Sequence, residues 1–401
     1  TSLLINWQEE ISKFAPELNT FILNNAGEDR KKTINESSAY DVIITTYGLL
    51  ITEEKLICSR TWNMIVLDEA HTIKNRETKM SKSAMNLRGD FRLLLTGTPL
   101  QNHLSEIWNL FQFANPGLLG SFTQFTDRFI NPIEKNRDKE RQKLLNRVIS
   151  PFILRRTKSE VLTELPEKTE ITLNVELSQE EWALYENIRH RAIVNMEGGG
   201  LSTVQALAEI TSLRQAACHP ALVAKSLNIP SSKSEAFMTI IEDLISNHHR
   251  ALVFSQFTSH LGLIRKELDE AGINYLYLDG SVSATRRIEL VDSFQKGDMP
   301  LFLISLKAGG LGLNLTAADY IIHLDPWWNP AVEDQASDRA YRIGQKRPVT
   351  VYRLIAKNTI EEKIIDLHKT KKDLADALLE GSDMTQKMTR DELLLMLKDS
   401  F

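Results

Sequence analysis

The sequence predicts an α/β protein built on two parallel sheets with a helical stretch between them. Three observations carry that prediction. Short apolar runs alternate with helix-like stretches, the repeat expected of strand–helix–strand units. The runs are continuous, as expected of parallel strands buried on both faces. They also fall into two sets: Val42–Ile44, Met64–Leu67 and Leu93–Leu95, then Leu252–Phe254, Tyr275–Leu278, Leu301–Ile304, Tyr320–Ile322 and Val349–Tyr352. Polar residues or glycines follow many runs at once, as in Asp68-Glu69, Thr96-Gly97-Thr98 and Asp279-Gly280. In open α/β sheets the ligand site lies beyond the carboxyl ends of the strands. Two such sheets imply two lobes with a cleft between them.

The intervening stretches, about 107–147 and 179–219, read as helical insertions or a bridge. Between Arg128 and Glu160 there are ten Lys/Arg against four acids. That excess suits a solvated helix face as well as a contact surface. Gly198-Gly199-Gly200 is a turn without the Lys-Ser/Thr of a phosphate loop. From Thr359 the pattern is one long amphipathic helix, a break near Gly381-Ser382 and a short helix near 390–398.

Composition narrows the function. The 401 residues carry 48 Lys/Arg and 53 Asp/Glu, a formal charge of −5, so bulk positive charge cannot drive nucleic-acid binding and any such contact is local. The two cysteines, Cys58 and Cys218, stand in unrelated contexts and give neither a zinc motif nor a disulfide framework. No apolar run approaches the roughly 18 residues of a membrane span.

Four strings carry candidate chemistry. Asp68-Glu69-Ala70-His71 follows the run Met64–Leu67. A strand delivering two adjacent acids suits one carboxylate holding Mg²⁺ and the next orienting an attacking water. Neighbours on a strand point to opposite faces, which would separate the two roles. A solvated Asp-Glu pair at a strand end has the same appearance. Thr96-Gly97-Thr98-Pro99 puts two hydroxyls on a turn that can hydrogen-bond to the acidic strand. Gln335, Arg339 and Arg342, at i, i+4 and i+7, would share one helix face and suit charge stabilisation on a transferring phosphoryl group; a charged face paired with Glu333 and Asp338 is the plainer alternative. Gly309, Gly310 and Gly312 follow a buried run and let backbone N–H groups approach phosphate, although Leu315 excludes a dinucleotide fingerprint.

Taken together, TSLLINW, DVIITTY, LDEAH, LLLTGTPLQN, ISPFILRRTK, ALVFSQF, LDGSVS, KAGGLGLNLT, DPWWNPAVEDQASDRAYRIGQ and NTIEEKI resemble the ATPase motor of the SWI/SNF family, double-stranded DNA translocases of helicase superfamily two. The resemblance runs over nearly the whole chain. It implies two RecA-like lobes with parallel sheets, helical insertions and a C-terminal brace helix. The first lobe would span 1–150, with a protrusion over about 107–150. A connector would follow at 151–160, then the second lobe at 161–358, with an insertion over about 179–240, and the brace helix and tail at 359–401.

Carried onto this sequence, the resemblance implies ATP and Mg²⁺ as cofactors. Asp68 would hold the metal through water and Glu69 would position the hydrolytic water. His71, Thr96 and Thr98 would couple nucleotide state to DNA grip, with Gly310 and Gly312 at the phosphates. Gln335, Arg339 and Arg342 would reach across the cleft. Thr1, Ser2, Thr45, Thr46, Tyr47, Gln256, Gly280, Ser281, Lys307, Ala308, Gly309, Trp327 and Trp328 would grip the backbone of double-stranded DNA, independent of sequence, and a DNA-bound protein complex would be the partner that the motor displaces or remodels. The family's phosphate loop lies upstream of TSLL, and no GxxxxGK[ST] occurs in the 401 residues, so this chain as it stands is expected to hydrolyse ATP poorly or not at all. Pro230-Ser231-Ser232-Lys233 departs from the family's Ser-Gly-Lys and leaves Lys233 without a clear role. Short insertions and the lack of a bromodomain- or chromodomain-like segment lean toward a prokaryotic or minimal member, placed in the cytoplasm at the nucleoid, or in the nucleus if eukaryotic. A strand-separating helicase, and a DNA-binding module without catalysis, are the alternatives.

Overall fold

The computed structural model describes residues 2–23, 28–37, 41–97, 104–136, 138–156, 162, 164–197, 203–297, 299–309 and 313–368. The chain divides into two compact units, one running to Leu154 and the other beginning at Arg155.

In the first unit, helix Ser2–Phe14 leads into β1 (Asn19–Ile22), which pairs in parallel with β2 (Asp41–Ile44). A separate parallel pair joins β3 (Thr61–Leu67) to β4 (Arg88–Leu94). Gly89 permits that pairing, because a Cβ there would lie 2.6 Å from Ile65 Cδ1. Ile65 and Leu67 point into a core with Leu50, Ala70, Ile73 and Phe113. The opposite face corrects the expectation of burial on both sides. Met64 and Val66 stand opposite Phe91 and Leu93 in register. They are 56%, 44%, 53% and 39% exposed, an apolar stripe that the described residues cover only in part. The helical stretch runs from Leu104–Ala114 to Lys139–Ile149 and buries Leu104, Ile107, Phe111, Phe125, Phe129 and Leu145 together.

The second unit holds a six-stranded, all-parallel sheet. Its strands are β5 (Lys168–Val175), β6 (Ala251–Ser255), β7 (Tyr275–Leu278), β8 (Leu301–Ser305), β9 (Tyr320–His323) and β10 (Val349–Ala356). Their order is β5-β10-β9-β6-β8-β7. Every residue of β6 and β8 is buried, as their continuous apolar runs require. The period of two sorts them: Leu252, Phe254, Phe302 and Ile304 enter one core, and Ala251, Val253, Leu301 and Leu303 enter the other. Helices Gln179–Glu197 and Thr203–Cys218 form the expected helical insertion and pack Tyr185, Ile188, Ile210 and Leu213 into a third cluster. After β10, the Thr359 hydroxyl accepts from Glu361 N at the start of a helix described to His368. The glycine turn 198–200, the break near Gly381 and the helix near 390–398 lie outside the described residues.

Candidate active site

In the first unit the acid pair sits where β3 ends. Leu95 N donates to Leu67 O and Ala70 N donates to Leu95 O, both at 2.9 Å. Pairing therefore continues past the strand ends and pins the Asp68 turn beside the segment carrying Thr96. Glu69 does not follow strand alternation. Its backbone is left-handed, φ 48° and ψ 50°. The backbone thus kinks at Glu69 and does not continue the strand pleat, which corrects the sequence-based expectation. A non-glycine residue in this region is strained, and its neighbours must hold it there.

Those neighbours are visible. Asp68 Oδ1 accepts from Glu69 N at 2.8 Å, and Oδ2 accepts from Trp7 Nε1 at 3.2 Å. Tyr47 donates its hydroxyl to Asp68 O at 2.9 Å. Burial and the charges of Asp68 and Glu69 push the Tyr47 phenol above its ordinary range, so it stays a donor. His71 Nδ1 lies 3.3 Å from Glu69 Oε2. Asp68 and Glu69 are half-buried carboxylates with hard oxygen donors, and one lightly engaged carboxylate suits a cation that keeps its own waters. No local pattern points to Trp7, whose indole arrives from helix Ser2–Phe14, 61 positions away.

Other expected residues are placed unevenly. Thr46 caps the helix Tyr47–Thr52, its hydroxyl accepting from Leu49 N at 3.1 Å. Thr45 is partly buried, Thr96 is exposed and Ser2 opens the first helix. Thr1, Thr98, Gly310 and Gly312 lie outside the described residues.

In the second unit the expected contacts gather at the carboxyl edge of the sheet: Gln256 after β6, Gly280 and Ser281 after β7, Lys307 and Gly309 after β8, Trp327 and Trp328 after β9. Gly280, Ser281 and Lys307 are exposed. Ala308 is not available: it is 2% exposed within an apolar core, so its expected DNA contact is withdrawn. The two tryptophans are half-buried around a buried arginine. The Arg214 guanidinium lies 5.5 Å from the Trp327 ring, 5.3 Å from Trp328 and 5.5 Å from Phe257, and donates to Pro326 O.

The helix expected to carry Gln335, Arg339 and Arg342 on one face is shorter than the spacing implied. It spans Pro330–Ser337, and both arginines follow in turns. Leu315 N takes the Arg339 carbonyl at 2.9 Å, which diverts it from a helical ladder. Glu333 is not their partner. It is buried, accepts from Trp327 N and Arg353 Nε, and burial pushes its carboxyl up to about 7. Among the described residues no carboxylate pairs with Arg342.

Behind this edge lies a buried polar core that gives Lys233 its role. Its ammonium donates to Glu361 Oε2 at 2.6 Å, Glu361 Oε1 at 2.7 Å and Leu324 O at 2.8 Å. Cys218 is brought beside His260 and Asp325, with donor atoms within 4.8 Å of one another. Asp325 accepts from Ser255 Oγ and Gln256 N, whereas neither ring nitrogen of buried His260 has a hydrogen-bond partner among the described residues.

The sequence matches the SNF2-related domain over residues 1–222 and the helicase conserved C-terminal domain over residues 232–344. A Bacillus subtilis protein named as an ATP-dependent helicase/translocase, YwqA, is 40% identical over 98% of this chain and 44% of its own length. The ISWI chromatin-remodelling complex ATPase ISW1 of Saccharomyces cerevisiae is 34% identical over 91% of this chain and 34% of its own length. The chain thus spans less than half the length of these curated relatives. A solved structure, the Sulfolobus solfataricus SWI2/SNF2 ATPase core in complex with double-stranded DNA, is 35% identical, covering 100% of this chain and 85% of that one at a TM-score of 0.49. With more than half its length matched by the SNF2-related domain, the chain belongs to the SNF2 family of helicase-type proteins.

Proposed function

We propose that the protein containing this chain is an ATP-driven translocase on double-stranded DNA. The observation that carries the reading is the acid pair at the tip of β3, its backbone kinked at Glu69 and its Asp68 held by Trp7 and Tyr47. In this reading Asp68 holds the Mg²⁺ that accompanies ATP; the ion offsets phosphate charge. Glu69 orients and takes a proton from the attacking water. Arg339 and Arg342, with Gln335, supply positive charge and hydrogen bonds to the phosphoryl group as it transfers. Thr96, Thr98, Gly310 and Gly312 belong to the same nucleotide response. The exposed tips at Gly280, Ser281 and Lys307, with Gln256, Thr45 and Thr46, would hold the phosphate backbone of DNA, so binding is sequence-independent and weakens steeply with salt.

Two substitutions test the roles in the full-length protein. Glu69→Gln should abolish DNA-stimulated ATP hydrolysis and leave ATP binding intact. Arg342→Ala should slow the chemical step by about 10³-fold. Wild-type turnover in either would remove that assignment. Relatives bear the name helicase, so strand displacement from a tailed duplex is measured alongside; release of a strand favours the helicase reading over pure translocation. The 401-residue chain itself, which contains no GxxxxGK[ST], is expected to show negligible ATP turnover with saturating duplex DNA.

A further inference from the structure

The second unit has a cavity of about 380 Å³ on the edge of the sheet where the strands begin. Arg250 immediately precedes β6, Thr316 and Ala317 lead into β9, and Gln345, Lys346 and Arg347 lead into β10. All strands are parallel, so this edge is opposite the one carrying Gln256, Lys307 and the tryptophans. A five-residue strand separates the two edges by about 16 Å.

The lining contains three formal cations, Arg250, Lys346 and Arg347, and no acid. In a chain of net charge −5 this is a local excess. Arg250 is held in place by packing: its guanidinium crosses Gly297, where a Cβ would fall 2.2 Å from Nη2. Its guanidinium makes one long hydrogen bond, 3.5 Å to Phe294 O. Among the described residues no carboxylate pairs with Arg250 or Lys346. Asp319, an acid that contacts the lining from beneath, is 3% exposed and already occupied by Arg250 N, His249 Nδ1 and Arg347 Nη1, at 3.0, 2.7 and 3.2 Å.

The rims are fixed by two amide side chains. Buried Gln345 donates Nε2 to Ala318 O at 2.8 Å, and its Oε1 accepts from Lys346 N and Arg347 N at 2.9 Å each. Gln295 accepts from Ala317 N at 2.8 Å and donates to Thr316 Oγ1 at 3.2 Å. The loop bearing the cations is therefore set before any ligand arrives, and a concave, cation-lined wall focuses potential on an anion. Guanidinium forks match phosphate oxygens, and the volume exceeds what one phosphate needs.

We propose that this cavity is a second anion site that takes phosphoryl groups, separate from the nucleotide and DNA residues of the opposite edge. The source is either a free polyphosphate or the phosphodiester backbone of a nucleic acid. The test is isothermal titration of the 401-residue chain with inorganic pyrophosphate in low-chloride buffer. Lys346→Glu is the variant, because Lys346 is exposed and its side chain holds nothing in place; Lys79→Glu in the first unit is the charge-matched control. The expected result is saturable binding tighter than about 1 mM, weakened at least about tenfold by Lys346→Glu through the reversed charge and unchanged by Lys79→Glu. Competition by a short DNA duplex, itself sensitive to Lys346→Glu, identifies the backbone as the source; pyrophosphate binding that duplex does not displace identifies free polyphosphate. Absence of saturable binding, or equal loss in both variants, overturns the proposal.

Discussion

Replacing Lys233 by Met tests the buried core most directly. The ammonium is 2% exposed and spends all three donors, on both Glu361 oxygens and on Leu324 O. Burial works against its charge, yet the Glu361 carboxylate overcomes that and holds Lys233 above its usual range. In Lys233→Met, Glu361 keeps only Ala356 N at 2.8 Å and the Cys218 thiol at 3.7 Å. Removing one partner of a buried pair costs about 3–5 kcal/mol. For a unit of roughly 200 residues, each kcal/mol shifts the melting temperature by about 2–4 °C, so the second unit should melt some 6–20 °C lower. The loss should shrink on acidification. An unpaired buried carboxylate has a raised native pKa, so the native state binds the extra proton and its handicap falls as pH drops toward the unfolded value. Scanning calorimetry at pH 8 and pH 5 measures both effects, and Lys233→Met combined with Glu361→Gln should recover most of the stability. A single-mutant loss under about 1 kcal/mol, or a double mutant no better than the single, refutes the reasoning.

Further predictions concern neighbouring groups. Burial holds the His323 imidazole down to about 3, with its Nε2 against Ser337 Oγ at 3.0 Å. Its native pKa is below the unfolded value, so its share of stability is lost as pH falls below about 6.5, reaching about 2 kcal/mol at pH 5; His323→Gln should flatten that part of the urea midpoint against pH. Arg214→Met leaves Pro326 O without its donor and should cost about 2 kcal/mol, with a changed Trp327/Trp328 emission read by fluorescence. Phe302→Ala, in a fully buried strand, should cost about 3–5 kcal/mol in urea unfolding.

Legibility in the sequence followed burial. Seven of the eight predicted strands lie wholly inside observed ones, and Leu93–Leu95 overruns β4 by only one residue, because strands buried on both faces write themselves as unbroken apolar runs. The missed strands broke that rule. β5 sits at the sheet edge and reads Lys-Thr-Glu-Ile-Thr-Leu-Asn-Val, an alternation with only its last residue buried. β1 is four residues long with none buried. Asp68 and Glu69 were legible from a strand ending in acids, but the left-handed turn at Glu69 was not, since nothing local demands it. Trp7 and Lys233 were illegible for a different reason: their partners lie 61 and 128 positions away, and single-sequence patterning reaches only a few turns. The helix through Arg342 failed because a tertiary hydrogen bond from Leu315 competes with the next turn.

The place of β5 has a consequence for synthesis. It is the first strand of its sheet to leave the ribosome, and its sole neighbour in the sheet order, β10, is the last. Val175 pairs with Ala356, roughly 180 residues downstream, a delay of about 10–40 s at common elongation rates of about 5–20 residues per second. During that interval the strand waits unpaired, and it carries a lysine and a glutamate, side chains that discourage foreign strands from adding to an edge.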